Sequence, residues 1–266
     1  MFNFLKYRLI YFLISFLVIS AGLFSIVKWG YRYSIDFVGG TYLEYRIGDK
    51  TYNLREKTLN QKEQDKLIST LEKKMKAKVT VLRLETVGAT LGKETINKTV
   101  IASLLAVAGI LIYMSLAFKG FKYAMAAILA MIHDFLVVIG SYSLLSRFFG
   151  AEVDTMFVTA VLTTMSFSVH DTIVIFDKIR EYLQTEGKED IEHFANRALT
   201  ETMVRSVNNS MTIVFMLLSL VLLGGSTIRF FIITLLIGTI TGTYSSPFVA
   251  TPILVWLAKR KKEKSS

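Results

Sequence analysis

The stretch VDTMFVTAVLTTMSFSVHDTIVIF, Val153 to Phe176, decides how this chain is read. Its length and apolar character suit a helix that crosses the ~30 Å hydrocarbon core of a bilayer, which takes about twenty residues. Yet the adjacent ionisable residues His170 and Asp171 stand inside it, where a charge costs several kcal/mol and marks a functional or paired group.

Working outward from that stretch, five more runs of similar kind appear. They lie at Leu9–Val27, Thr99–Phe118, Tyr123–Leu145, Val207–Leu223 and Ile228–Leu257, the last long enough to imply tilt, a break or an interfacial end. The composition agrees: 52% apolar residues, 2 prolines in 266 residues and a mean hydropathy of +0.46 are not those of a water-soluble globule. The absence of cysteine excludes disulfides, thiolate metal sites and thiol nucleophiles. The net charge of +10 suits basic inner loops better than nucleic-acid binding.

Six spans place both termini on one side. That side is expected to be the cytoplasm, because Lys6, Arg8, Lys119, Lys122, Lys259, Arg260, Lys261 and Lys262 flank the spans there, against Arg147 and Arg229 in the short outer loops. The basic residues between Lys28 and Lys98 belong to a long translocated loop, which that rule exempts. The first span exceeds a signal-peptide core and lacks a small-x-small cleavage site after it, so it reads as a retained anchor. The expected fold class is an α-helical integral membrane protein of six transmembrane helices, with a small extracytoplasmic α+β domain between helices 1 and 2.

The expected organisation is residues 1–28 for the N-terminus and helix 1, and 29–98 for the outer domain. Residues 99–257 hold helices 2–6 with a cytoplasmic amphipathic loop at 178–206, and 258–266 form a basic tail. In the outer domain, Thr41–Ile47 alternates as a strand, about Asn60–Ala77 reads as a helix with Leu67, Leu71 and Met75 on its apolar stripe, and Val79, Val81 and Leu84 resume strand spacing. Its many charges read as a solvated face. The segment 178–206 is expected to lie along the membrane surface.

Three groups of ionisable residues fall inside the spans. His133 and Asp134 lie about 15 Å along the third, and His170 and Asp171 about 9 Å inside the same face on the fourth. Arg205 opens the fifth, and its long side chain reaches toward Asp171. Desolvation favours the neutral acid while a nearby cation favours the carboxylate, so small movements switch protonation, as a proton relay requires. The plainer reading is a buried polar network that only fixes packing. Thr163, Thr164, Ser166, Ser168 and Thr172 serve either a hydrated route or ordinary helix–helix hydrogen bonding. Two His-Asp pairs also suit a metal ion, without an HExxH-like spacing. On the sixth span Gly238, Gly242, Ser246 and Ala250 form a small-residue stripe, and Pro247 and Pro252 predict a kink or unwound turn.

These residues resemble the SecD/SecF family of export subunits, relatives of the resistance–nodulation–division pumps. Ser34–Thr41 (SIDFVGGT), with Asp36, Phe37, Gly39 and Gly40, looks like that family's Asp-Phe-x-Gly-Gly signature, and Val87–Gly92 (VGATLG) resembles its return to the membrane, with Ala89 in place of Pro. His133-Asp134 matches a recurring pair. Ser168–Glu181 (SVHDTIVIFDKIRE) is the strongest match, to Ser-x-Asn-Asp-Thr-x-Val-x-x-Asp-Arg-x-Arg-Glu, with His170 in place of Asn; Ser166 replaces a usual Gly. Gly242–Ser246 (GTYSS), with Ser245 and Ser246, closes the series. The short outer domain resembles the SecF branch.

The resemblance implies a non-enzymatic accessory unit, without cofactor or catalytic residue, that binds SecD and the Sec channel (SecYEG) and draws exported polypeptide outward on the proton motive force, amid membrane lipid. It implies roles in proton passage for Asp171 and Arg205. A half-transporter of the pump superfamily moving lipid or small molecules stays open as an alternative, as does an intramembrane metalloenzyme built on the two His-Asp pairs.

Overall fold

The computed structural model describes residues 3–118, 120–186 and 190–263. Lys119 lies outside them, as do the side chains of Arg260, Lys261 and Lys262, which the orientation argument used. Helices and strands follow one another as α1 (Arg8–Trp29), β1 (Arg32–Tyr33), α2 (Ile35–Val38), β2 (Gly40–Ile47), β3 (Lys50–Glu56), α3 (Gln61–Met75), β4 (Thr80–Val87), α4 (Ala89–Ala117), α5 (Phe121–Phe149), β5 (Glu152–Val153), α6 (Thr155–Thr185), α7 (Ile191–Leu223), α8 (Arg229–Ser245) and α9 (Thr251–Glu263). Two compact units result, residues 32–103 with 152–155, and the remainder.

The smaller unit is an antiparallel sheet in the order β3-β2-β4, covered by α3. β2 alternates as expected: Thr41, Leu43 and Tyr45 turn inward. Leu43, Tyr45 and Val79 form its core, with Leu54, Leu67, Ile68, Leu71 and Leu84 packed around them. Met75, expected on that stripe, is exposed, and Ile68 takes the place. Asn60 caps α3 in a reciprocal capping box with Glu63, which satisfies two backbone donors at once. β3 was not foreseen: almost every position along it is exposed, so it has no apolar alternation to read.

The Ser34–Thr41 motif builds the entry to this sheet. Ser34 caps α2 by accepting from the Asp36 amide at 3.1 Å, and Phe37 is buried. Gly39 then takes φ +74° and Gly40 φ +120°, conformations that only glycine adopts cheaply. The second outer motif packs on the first. Gly40 pairs with Val87 across the sheet, and a Cβ at Gly92 would stand 2.8 Å from the Phe37 carbonyl oxygen.

The larger unit contains two parallel helix pairs, each with a constant register. Along α1 and α5, Ser15 meets His133 (2.9 Å), Gly22 meets Gly140, and Ser25 meets Ser143 (2.8 Å). Along α6 and the last span, Gly238 lies on Thr164, Gly242 on Ser168 and Ser246 on Thr172. The small-residue stripe of the sixth span is thus the face that meets α6, and small side chains there let backbones approach. Between α8 and α9 the chain passes through a π-helical segment, Ser246–Ala250, that contains Pro247. The Ser246 carbonyl there accepts from the Thr251 amide and also from the Thr251 hydroxyl, the latter at 3.0 Å.

The structure corrects the reading of 178–206 as a loop. Its described residues are the end of α6 and the start of α7. Lys178–Glu181 (3.0 Å), Arg197–Glu186 (2.8 Å) and Arg197–Glu201 (3.4 Å) pair charges along and across the two helices. Buried Ile179 and Tyr182 on one, and Phe194, Ala198 and Leu199 on the other, give them an apolar side. Charged residues spaced for helix formation prolong a spanning helix beyond the length its hydropathy marks.

Candidate functional site

Two polar sites lie on different faces of α6, and the sequence pairs His133-Asp134 and His170-Asp171 end up one in each. Ser168 and Thr172, four residues apart and both buried, face α5 and α8. His170 and Asp171 face α7. Among the described residues no three His, Asp or Glu side chains gather as a metal would require, so the two pairs are separate sites.

Asp134 is the enclosed carboxyl, 4% exposed. One of its oxygens accepts from the hydroxyls of Ser168 and Ser245, the latter at 2.6 Å, and the other lies 2.8 Å from Nδ1 of His133. His133 reaches Ser15 through Nε2 at 2.9 Å. Tyr244 lies 3.5 Å from the same Ser15 hydroxyl and donates to the Tyr11 carbonyl at 2.8 Å. One carboxyl therefore ties α1, α5, α6 and α8 together. Ser245, read from sequence as part of a motif, donates to Asp134, and Ser246, read as part of that motif and of the small-residue stripe, is a partner of Thr172. Gly242 makes this possible, since a Cβ there would stand 3.2 Å from the Ser168 Cα.

Asp171 is placed differently. It is half-buried and accepts from the Ser206 hydroxyl at 2.8 Å. It lines an open cleft of ≈ 280 Å³ with His170, Thr202, Arg205, Ser206 and Asn209 among the lining residues. Arg205 shares that cleft without forming an ion pair with Asp171, and both Arg205 and His170 are exposed. The expected reach of Arg205 to Asp171 is not a direct contact here; the neighbouring Ser206 makes that contact instead. Sequence reasoning passed over Ser206 because a lone serine at the mouth of a span has no distinctive spacing. Asp36, Phe37, Gly39 and Gly40 belong to the smaller unit and shape its entry turn.

A helical membrane protein of six candidate spans, with an enclosed carboxyl on the third and an accessible one on the fourth, is the class that this geometry defines. Comparison with known proteins places it further. A family model described as protein export membrane protein SecD/SecF, C-terminal, matches residues 67–260. The chain is 38% identical to the protein translocase subunit SecF of Thermobaculum terrenum, covering 96% of this chain and 93% of that one. Protein translocase subunit SecDF of Bacillus subtilis is 37% identical over 68% of this chain and 24% of its own. The crystal structure of SecDF from Thermus thermophilus, a translocon-associated membrane protein, superposes with a TM-score of 0.85 at 28% identity, across 97% of this chain and 39% of that chain. The chain belongs to the SecD/SecF family, on its SecF branch, and is a multi-pass membrane protein.

Proposed function

We propose that this chain is a SecF-type subunit that works in protein translocation with SecD, coupling the proton motive force to outward movement of polypeptide through the Sec channel. The observation that carries the reading is the Asp171 cleft: an accessible carboxyl inside an apolar span, hydrogen-bonded to one serine, with the exposed cationic side chain of Arg205 lining the same cleft without an ion pair to it. Such a carboxyl exchanges protons as Arg205 approaches or withdraws. One proton crossing 100 mV supplies about 2.3 kcal/mol.

Polar groups exposed on the α6–α7 face, among them His170, Arg205, Asn208 and Asn209, support a partner there, because lipid offers them nothing to bond. SecD is that partner in this reading, and the two parts occur in one chain in the SecDF relatives. His133 and Asp134, in contrast, are sealed among fixed partners, which favours their role in holding the helices in register. Both termini are assigned to the cytoplasm from the distribution of basic residues.

The test is gradient-dependent export of a secreted reporter in membrane vesicles, comparing wild type with Asp171→Asn at equal abundance of the complex with SecD. Loss of the gradient-dependent component alone is expected. Unchanged export returns Asp171 to helix packing and removes the proton-coupling reading.

A further inference from the structure

The two-residue strand β5 lies in the turn between α5 and α6, well separated in sequence from residues 32–103 of the smaller unit, yet it belongs to that unit. Three contacts hold it. It pairs in parallel with β1, Arg32 opposite Glu152 and Tyr33 opposite Val153. The Ser34 amide donates to the Val153 carbonyl at 3.0 Å, and Val153 is buried. Arg55, on β3, completes the clip with both arms of its guanidinium: one donates to the Tyr33 carbonyl at 2.9 Å, and the other forms an ion pair with Glu152.

A two-stranded ribbon of two residues each has too few backbone bonds to persist alone. Arg55 supplies what it lacks, since a forked guanidinium binds a backbone carbonyl and a carboxylate at once with fixed geometry. Through β3 it fastens the ribbon to a strand that is hydrogen-bonded along seven residue pairs to the centre of the sheet. The chain leaves β5 and enters α6 two residues later, at Thr155. From there to Asp171 is one uninterrupted helix, about 24 Å of it.

We infer that Arg55 is a positioning residue that fastens the start of α6 to the α+β unit, so that displacement of α6 on proton exchange is passed to that unit through β5. This inference rests on the assignment of proton coupling to Asp171. A helix transmits axial displacement along its length, and a clip of backbone pairing plus a bidentate arginine passes it on to the sheet. Without Arg55, the ribbon yields and the displacement is absorbed in the turn.

The experiment uses the full chain in its complex with SecD, in vesicles, with two readouts: hydrogen exchange at the Ser34 amide and gradient-dependent export. Arg55→Ala is expected to speed exchange at Ser34 at least tenfold and to lower gradient-dependent export at least threefold, with gradient-independent export and complex abundance unchanged. The charge-exchanged pair Arg55→Glu with Glu152→Arg is expected to recover at least half of both losses. Faster exchange at Ser34 with full export overturns the inference, as does an unchanged exchange rate. Should Arg55→Ala lower complex abundance, the exchanged pair decides: recovery of abundance without recovery of gradient-dependent export overturns the inference, and recovery of both upholds it. Asp171→Asn runs in parallel. If it exports normally, the coupling assignment fails; if it loses export while Arg55→Ala keeps it, only the inference about Arg55 fails.

Discussion

Replacing Gly22 with alanine tests whether the α1–α5 contact sets the geometry of the buried polar network. By intrinsic preference alone, alanine in place of glycine stabilises a helix by about 1 kcal/mol. The structure reverses that sign. A Cβ at Gly22 would stand 2.7 Å from the Cα of Gly140 and 3.2 Å from its carbonyl carbon, with no side chain able to move aside. The two helices must part by about 1 Å to reach ordinary contact. That separation lengthens Ser15–His133 from 2.9 Å and Ser25–Ser143 from 2.8 Å beyond hydrogen-bond range. Interhelical bonds of this kind contribute about 0.6 kcal/mol each in membranes, and overpacking costs about 1–3 kcal/mol. Set against the helix preference, the net loss is about 1–3 kcal/mol. Unfolding of the purified protein in mixed micelles with increasing SDS measures it. The contact is reciprocal, so Gly140→Ala is expected to lose a similar amount, and the double variant less than the two losses combined, because one separation relieves both clashes. A Gly22→Ala protein as stable as wild type, or more so, would refute the reasoning.

Gly238→Ala is expected to destabilise by about 1–3 kcal/mol in the same assay, since its Cβ would overlap Cβ and Cγ2 of Thr164; Thr164→Gly in that background should restore part of the loss. Asp134→Ala is expected to cost about 2–4 kcal/mol, because it strips hydrogen-bonding partners from His133, Ser168 and Ser245 in an enclosed site. Asp171→Ala, at an accessible cleft with one serine partner, should cost under about 1 kcal/mol, so unfolding separates the enclosed carboxyl from the accessible one. In the smaller unit, burial raises the Glu152 carboxyl above its ordinary value of 4.5, against the attraction of Arg55. The folded carboxyl therefore holds its proton more tightly than the unfolded one, and the stability it confers below pH 4.5 declines as pH rises through the raised value. Protection of β2 amides, corrected for intrinsic exchange, should fall across that window, and Glu152→Gln should flatten the fall.

Much of the organisation was legible in the residues themselves. Six runs of about twenty apolar residues mark six spans because the bilayer demands that length wherever the chain crosses. The turn at Gly39–Gly40 was legible because two adjacent glycines permit a backbone path that other residues resist, and Leu67 and Leu71 showed the buried side of α3 through helical spacing. The extent of the helices was less so: α7 starts at Ile191 rather than near Val207, because its first turns are amphipathic, with Phe194, Ala198 and Leu199 buried on one side and ion pairs on the other, and so form no continuous apolar run. β3 left no pattern, since a strand exposed along its length needs no apolar alternation.

What the sequence by itself determined is the class of protein, the number of spans, the presence of ionisable groups within them and the family they resemble. Which of those groups is enclosed and which is accessible was decided only by tertiary structure. His133-Asp134 and His170-Asp171 look alike as sequence, yet α6 turns Ser168 toward Asp134 and carries Asp171 round to the α7 side. The physical reason is that lipid and a neighbouring helix are equally apolar surroundings for a span, so hydropathy does not say which face meets which. That choice is made by close packing at Gly22 on Gly140, Gly238 on Thr164 and Gly242 on Ser168, contacts between residues more than seventy positions apart.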